Sequence, residues 1–164
     1  MKIVVYGAPI LRKVSEKVEK IDKELNKILD EMVDTMRDAK GIGLAANQVG
    51  IDKRFFVLEI EHNVKKIINP EILEFSEEVV EIEEGCLSLP GIYKKATRSE
   101  TIKVKYLDEN GKEKIEVLEG LWARAFQHEL DHLDGILFID RISLMNKRLI
   151  LKKLEQLRKI SSNS

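Results

Sequence analysis

At 164 residues the chain is long enough for one compact domain with a sizeable apolar core. Apolar residues make up 43% and charged residues 35%, a balance that excludes an intrinsically disordered chain. The 28 basic and 29 acidic residues leave a formal charge of −1, which argues against a net-basic nucleic-acid binder, and the single cysteine, Cys86, excludes an intramolecular disulfide.

Residues 1–7 hold too short an apolar run for a signal peptide, and no stretch approaches the ~18 apolar residues of a membrane span. A cytoplasmic location is the resulting expectation. Across residues 22–39, Leu25, Ile28, Leu29, Met32, Val33 and Met36 recur at i, i+3 and i+4. That spacing predicts an amphipathic helix with Asp22 as N-cap and Gly41 as its stop. A Gly- and Ala-rich loop follows at residues 41–48. Residues 54–60, 66–68 (leading into Asn69-Pro70) and 78–82 read as strands. Residues 101–107 and 114–118 alternate in polarity and are joined by Asp108-Glu109-Asn110-Gly111, a hairpin signal. A second helix is predicted from near Gly120 to Gly135, and the apolar run at residues 136–139 reads as a short strand. The tail, residues 144–160, has helical period, with Leu149, Ile150, Leu154 and Leu157 on one face and Lys and Arg on the other. One α+β domain over residues 1–164 is expected.

The segment with chemical content is His128-Glu129-Leu130-Asp131-His132. On a helix, His128 and His132 lie one turn apart and point the same way. Two imidazoles so placed can share one metal ion, with Glu129 beside its bound water as general acid/base. Two surface histidines are the plainer alternative. Against it, the chain has only three histidines, and Trp122, Phe126 and Leu133 frame the segment with apolar bulk.

A zinc-type catalytic site takes three protein ligands and a water. A metzincin extension would need a histidine where Phe138 stands. Glu155 is a candidate third ligand, as in a small zinc endopeptidase, although it sits on a charged helix that reads as a solvated face. Cys86, in Glu84-Gly85-Cys86-Leu87-Ser88, is the other candidate: a thiolate suits Zn²⁺ or Fe²⁺, while alone it would read as a buried filler. A non-catalytic protein with a structural Cys-His-His site is the rival from another class; structural zinc sites are closed by four ligands, and no fourth is evident. Gln48 reads either as a polar donor or as a cap for the next element, and Gly41 and Gly43 as turn residues or as points of close approach for a ligand.

Three segments in order, Gly41-Ile42-Gly43-Leu44-Ala45-Ala46-Asn47-Gln48, Glu84-Gly85-Cys86-Leu87-Ser88 and Gln127-His128-Glu129-Leu130-Asp131-His132-Leu133-Asp134-Gly135, resemble the three signature motifs of bacterial-type peptide deformylases. The resemblance spans nearly the whole chain. It implies mostly antiparallel β-sheets packed around a central metal-binding helix, with an N-terminal and a C-terminal helix. It implies removal of the formyl group from the N-terminal formyl-methionine of nascent polypeptides, with release of formate. Cys86, His128 and His132 match the metal ligands, and Glu129 the acid/base. Gln48 and the backbone N–H of Leu87 match the donors to the substrate oxyanion, and Gly43 a residue whose backbone contacts substrate. Ile42, Glu84, Gly85, Leu121 and Ala125 fall where the methionine pocket is lined or bordered. The family commonly uses Fe²⁺, with Zn²⁺, Ni²⁺ or Co²⁺ in its place; ligand chemistry alone points to zinc. Such an ion lowers the pKa of its water so that hydroxide forms near neutrality and attacks the formyl carbon. Many bacterial members have an apolar residue where Arg124 stands, and some have Arg where Tyr93 stands, departures that fall at the pocket edge. The basic C-terminal helix reads as a solvated face or as a transient ribosome contact; neither membrane association nor stable nucleic-acid binding is expected.

Overall fold

The computed structural model of the protein describes residues 1–162. Helix α1 (Lys23–Asp38) starts where the sequence places it: the Asp22 carboxylate accepts a hydrogen bond from the Leu25 N–H at 2.9 Å. Its apolar stripe of Leu25, Leu29, Met32, Val33 and Met36 is buried. The helix stop differs from expectation. Lys40, at φ +59°, makes the left-handed reversal, not Gly41. Gly41 serves packing instead, since a Cβ there would stand 2.9 Å from the Leu87 Cδ1.

Among the described residues seven strands follow: β1 (Gly43–Ala45), β2 (Phe55–Ile60), β3 (Asn63–Phe75), β4 (Val79–Cys86), β5 (Leu89–Ser99), β6 (Thr101–Leu107) and β7 (Glu113–Glu119). All pairs are antiparallel. One sheet runs β1-β2-β3-β6-β7, and β4-β5 forms a separate two-stranded sheet. Strand β3 continues through Asn69-Pro70, because Asn69 takes φ +50° and a register shift between Ile68 and Glu71 absorbs the proline. The Asn69 side chain fixes that bend by bonding both the N–H and the C=O of Val18 at 2.9 Å. Strand β5 was not foreseen, since Pro90-Gly91 and Lys94-Lys95 interrupt its pattern.

Helix α2 (Gly120–Leu133) lies across the five-stranded sheet, and every residue from Ala123 to Leu133 is buried. Phe126 meets Phe56 edge to face, with ring centroids 5.2 Å apart. Two expectations fail beyond it. Residues 136–139 do not form a strand: Phe138–Asp140 is a single 3-10 turn, closed by the Asp140 carboxylate accepting from Leu137 N–H at 3.0 Å. Local capping and burial of Phe138 and Ile139 win. The tail is two helices, α3 (Leu144–Leu149) and α4 (Leu151–Ser162), broken at Ile150. Ile150, Leu154 and Leu157 are buried beside Tyr6, Leu89, Ile92 and Phe138, while Leu149 is 67% exposed.

Candidate metal centre

Strand β4 ends at Cys86, just after a register shift between Gly85 and Cys86 that turns the chain toward α2. The helical period delivers the two histidines of α2 to the same place. Their ring centroids are 5.1 Å apart, and the Cys86 sulfur stands 3.3 Å from His132 Nε2. The donor atoms of Cys86, His128 and His132 all lie within 4.8 Å of one another. Both imidazoles are largely withdrawn from water, His128 9% and His132 1% exposed, while Cys86 is partly exposed.

Three observations fit this cluster to a divalent cation. One thiolate and two imidazoles form a donor set suited to Fe²⁺ or Zn²⁺. His128 donates from Nδ1 to Glu84 Oε1 at 2.7 Å, the kind of hydrogen bond that fixes a ligating imidazole's tautomer and frees Nε2. The local field also favours positive charge there. Burial alone would lower His128, but the carboxylate of Glu129, with Cys86 and Glu84 beside it, outweighs burial and sets it at about 10. Burial and the His128 charge push His132 the other way, well below the ordinary range, so the pair is disposed to hold one proton between them. A cation shared by both rings satisfies the same field. Three donors with a cleft on the remaining side suit catalysis rather than a closed structural site.

Glu129 lies against the β1 backbone. A Cβ on Gly43 would stand 2.5 Å from Glu129 Oε2, so only glycine admits the carboxylate. Its Oε1 is buried without a hydrogen-bond partner among the described residues. Burial raises the group to about 7, with the His128 and Arg98 charges opposing. Such a value suits proton transfer near neutrality.

Gln48 is buried beside the cluster. Its Oε1 accepts from Ala45 N–H at 2.9 Å, a local cap, while Nε2 faces the Ser88 hydroxyl at 3.1 Å and the Cys86 sulfur at 3.5 Å. Leu87 occupies the two-residue turn directly after Cys86. A cleft of about 610 Å³ opens beside the cluster and is lined by Ile42, Gly43, Glu84, Gly85, Leu121 and Ala125. All six pocket candidates therefore border one cavity. Glu84 is only 6% exposed, however, and its carboxylate is engaged by Arg98, Arg124 and His128. Burial raises Glu84, and these hydrogen bonds and charges more than reverse that, holding it at about 2. Glu155 is exposed on α4 and stands outside the donor cluster.

Sequence reasoning missed Arg98, Asp131 and Asn47. Arg98 falls in the inward register of β5 with Ala96, and a charge in that register was the available signal. Asn47, which the motif treats as variable, is fully buried and donates to the His132 carbonyl at 2.6 Å.

A thiolate and two imidazoles one helical turn apart, beside a buried carboxylate and an open cleft, define a metallohydrolase on an α+β scaffold. Comparison with known proteins agrees and narrows the class. The family described as Polypeptide deformylase matches residues 1–148. The peptide deformylase of Fusobacterium nucleatum is 50% identical over 161 residues, spanning 96% of this chain and 92% of its own. The crystal structure of the Thermotoga maritima peptide deformylase is 51% identical with a TM-score of 0.85, covering 87% of this chain and 97% of that one. That of Plasmodium falciparum reaches a TM-score of 0.96 at 41% identity, covering 99% and 98%. The chain belongs to the peptide deformylase family.

Proposed function

We infer that this chain hydrolyses the formyl amide at the formyl-methionyl end of nascent polypeptides, releasing formate and a free amino group. The observation that carries this reading is the convergence of Cys86, His128 and His132 beside Glu129 at the cleft. These three residues would hold a divalent cation, which when bound would supply Lewis acidity to water and to the formyl oxygen. We assign Fe²⁺ in the cell, with Zn²⁺, Ni²⁺ or Co²⁺ able to use the same donors.

The chain's own groups supply the rest. Glu129 takes a proton from the attacking water and returns it to the methionyl nitrogen as the C–N bond breaks. The Gln48 amide and the Leu87 N–H stabilise the negative oxygen formed in between, each worth about 2.7–4 kcal/mol in comparable sites. Ile42, Leu121 and Ala125 receive the methionine side chain, and Gly85 leaves room for it. Strand β1 is the outer strand of its sheet, so the Gly43 backbone is free to pair with an extended peptide. Glu84 borders the pocket but acts on His128.

We place residues 1–164 in one cytoplasmic catalytic domain. Among the described residues no helix is long and apolar enough to cross a membrane. Exposed Lys152, Lys153 and Lys159 on α4 suit transient contact with ribosomal RNA or protein. Unchanged ribosome co-sedimentation after charge reversal at all three removes that contact.

Anaerobic purification, metal analysis and a formate-release assay on formyl-Met-Ala-Ser test the main reading together. One metal per chain with formate release is expected. Cys86→Ala should lose the metal and Glu155→Ala keep it. A metal-loaded parent that releases no formate from any formyl-methionyl peptide overturns the assignment.

A further inference from the structure

The fourth residue of the His-Glu-Leu-Asp-His segment has no part in the chemistry above, yet it is buried and fully engaged. Asp131 Oδ2 accepts from Arg98 Nη1 at 2.9 Å. Arg98, whose side chain is 3% exposed, turns its other two donors on Glu84: Nε to Oε2 at 2.6 Å and Nη2 to Oε1 at 3.0 Å. Glu84 Oε1 then accepts from His128 Nδ1 at 2.7 Å. Because Asp131 and His128 share one turn of α2, the chain of contacts closes on itself. It leaves the helix at Asp131, crosses β5 at Arg98 and β4 at Glu84, and returns to the helix at His128.

A guanidinium is planar, with donors in a fixed fork. Two of its edges here serve two different carboxylates, so the position of one sets the roll of the plane toward the other. Without Asp131, the buried Nη1 protons lose their acceptor, and the guanidinium is free to turn away from Glu84 in search of another. Glu84 would keep Arg124 but lose the two-point grip that aims its Oε1 at the imidazole. Arg141 bonds Asp131 from the solvent side at 3.1 Å through both Nε and Nη2, which holds the carboxylate in place without reaching Glu84.

We propose that Asp131 is a positioning residue for the metal ligand His128, acting through Arg98 and Glu84. The inference rests on the reading that Cys86, His128 and His132 hold a divalent cation. It explains why an aspartate stands between Leu130 and His132, where helical spacing alone would accept any residue.

The test loads the parent and Asp131→Asn with Co²⁺ and follows visible absorption and the rate of Co²⁺ loss to excess chelator. The asparagine keeps shape and one acceptor but removes the charge that orients Arg98. The variant is expected to lose Co²⁺ roughly tenfold faster, the lower end of the range for groups that orient metal-bound histidines, and to show shifted absorption bands. A variant that melts lower than the parent but matches its spectrum and Co²⁺ loss rate overturns the proposal and leaves Asp131 a purely structural ion. If Asp131→Asn does not fold, Arg98→Lys decides, since one ammonium cannot span both carboxylates: faster loss supports the inference, an unchanged rate overturns it. A parent that binds no Co²⁺ condemns the metal-centre reading itself, a result separable from either.

Discussion

Helix α2 has two unlike neighbours. Toward the five-stranded sheet it buries Ala123, Phe126 and Leu133 against Phe56, Leu58 and Tyr106, a contact made of apolar area. Toward the β4–β5 sheet the contact is ionic: Arg98 and Arg124 converge on Glu84, and Arg98 also reaches Asp131. The two faces do different work. Apolar burial is non-directional and contributes stability in proportion to area. A buried ion set gains little net stability, since desolvation offsets attraction, but its hydrogen bonds are directional. The sheet side therefore holds the helix in the molecule, and the hairpin side aims what the helix carries.

The largest expected effect lies at the junction of the two faces. Glu129→Gln should lower formate release by about 10²–10⁴-fold, the usual worth of a positioned acid/base, while metal content stays at the parent's level. Stripped of metal, the same variant should melt no lower than the metal-free parent at pH 8. Burial raises the Glu129 carboxyl from 4.5 to about 7, so the unfolded chain ionises first. This group consequently opposes folding as pH climbs from about 4.5 to about 7, and a neutral amide removes the opposition. Turnover equal to the parent's would break the mechanism.

Phe126→Ala tests the apolar face. The ring is fully buried, and its loss should cost about 3–5 kcal/mol in urea unfolding. Variant that remains folded in dilute buffer should still bind metal at the parent's ratio. Loss of metal with little loss of stability would reverse the division of labour between the faces.

Acid titration probes the ionic face. Glu84 is held at about 2 against an ordinary 4.5, so its ionised form contributes stability that is fully present above about 4.5 and is lost as pH falls through about 2. Melting temperatures between pH 5.5 and 2.5 should fall more steeply in the parent than in Glu84→Gln, which has no proton to take up. Parallel curves would show that the network is not ionised as the contacts imply.

This division also accounts for what was legible in the sequence. Apolar periodicity exposed α1 and α2, because a stripe at 3.6-residue spacing is written in consecutive residues. The imidazole pair was legible for the same reason. Cys86 was not, on spacing alone: 46 residues separate it from His132, and only a missing third ligand and the motif resemblance drew the two together. The ionic face left the least trace. Glu84 reads as a pocket residue, and Arg98 as one more charge in a chain where charged residues make up 35%. Their meaning depends on β5, whose Pro90-Gly91 start and paired lysines hide its alternation.

The C-terminal tail shows the opposite error, a period trusted too far. Read as one helix, it places Leu149 with Ile150, Leu154 and Leu157, but the backbone turns at Ile150 (φ −106°, ψ 2°) and rotates Leu149 out to solvent. Leu154, 5% exposed, sits in the cluster with Tyr6 and Phe138. Leu154→Ala should therefore cost about 2–5 kcal/mol in urea unfolding. Leu149→Ala should stay within about 0.5 kcal/mol of the parent, as surface changes do. Equal costs would mean that the tail runs as one continuous helix in solution. Unequal costs leave Leu149, with exposed Leu144 and Met145, as apolar surface that folding does not use.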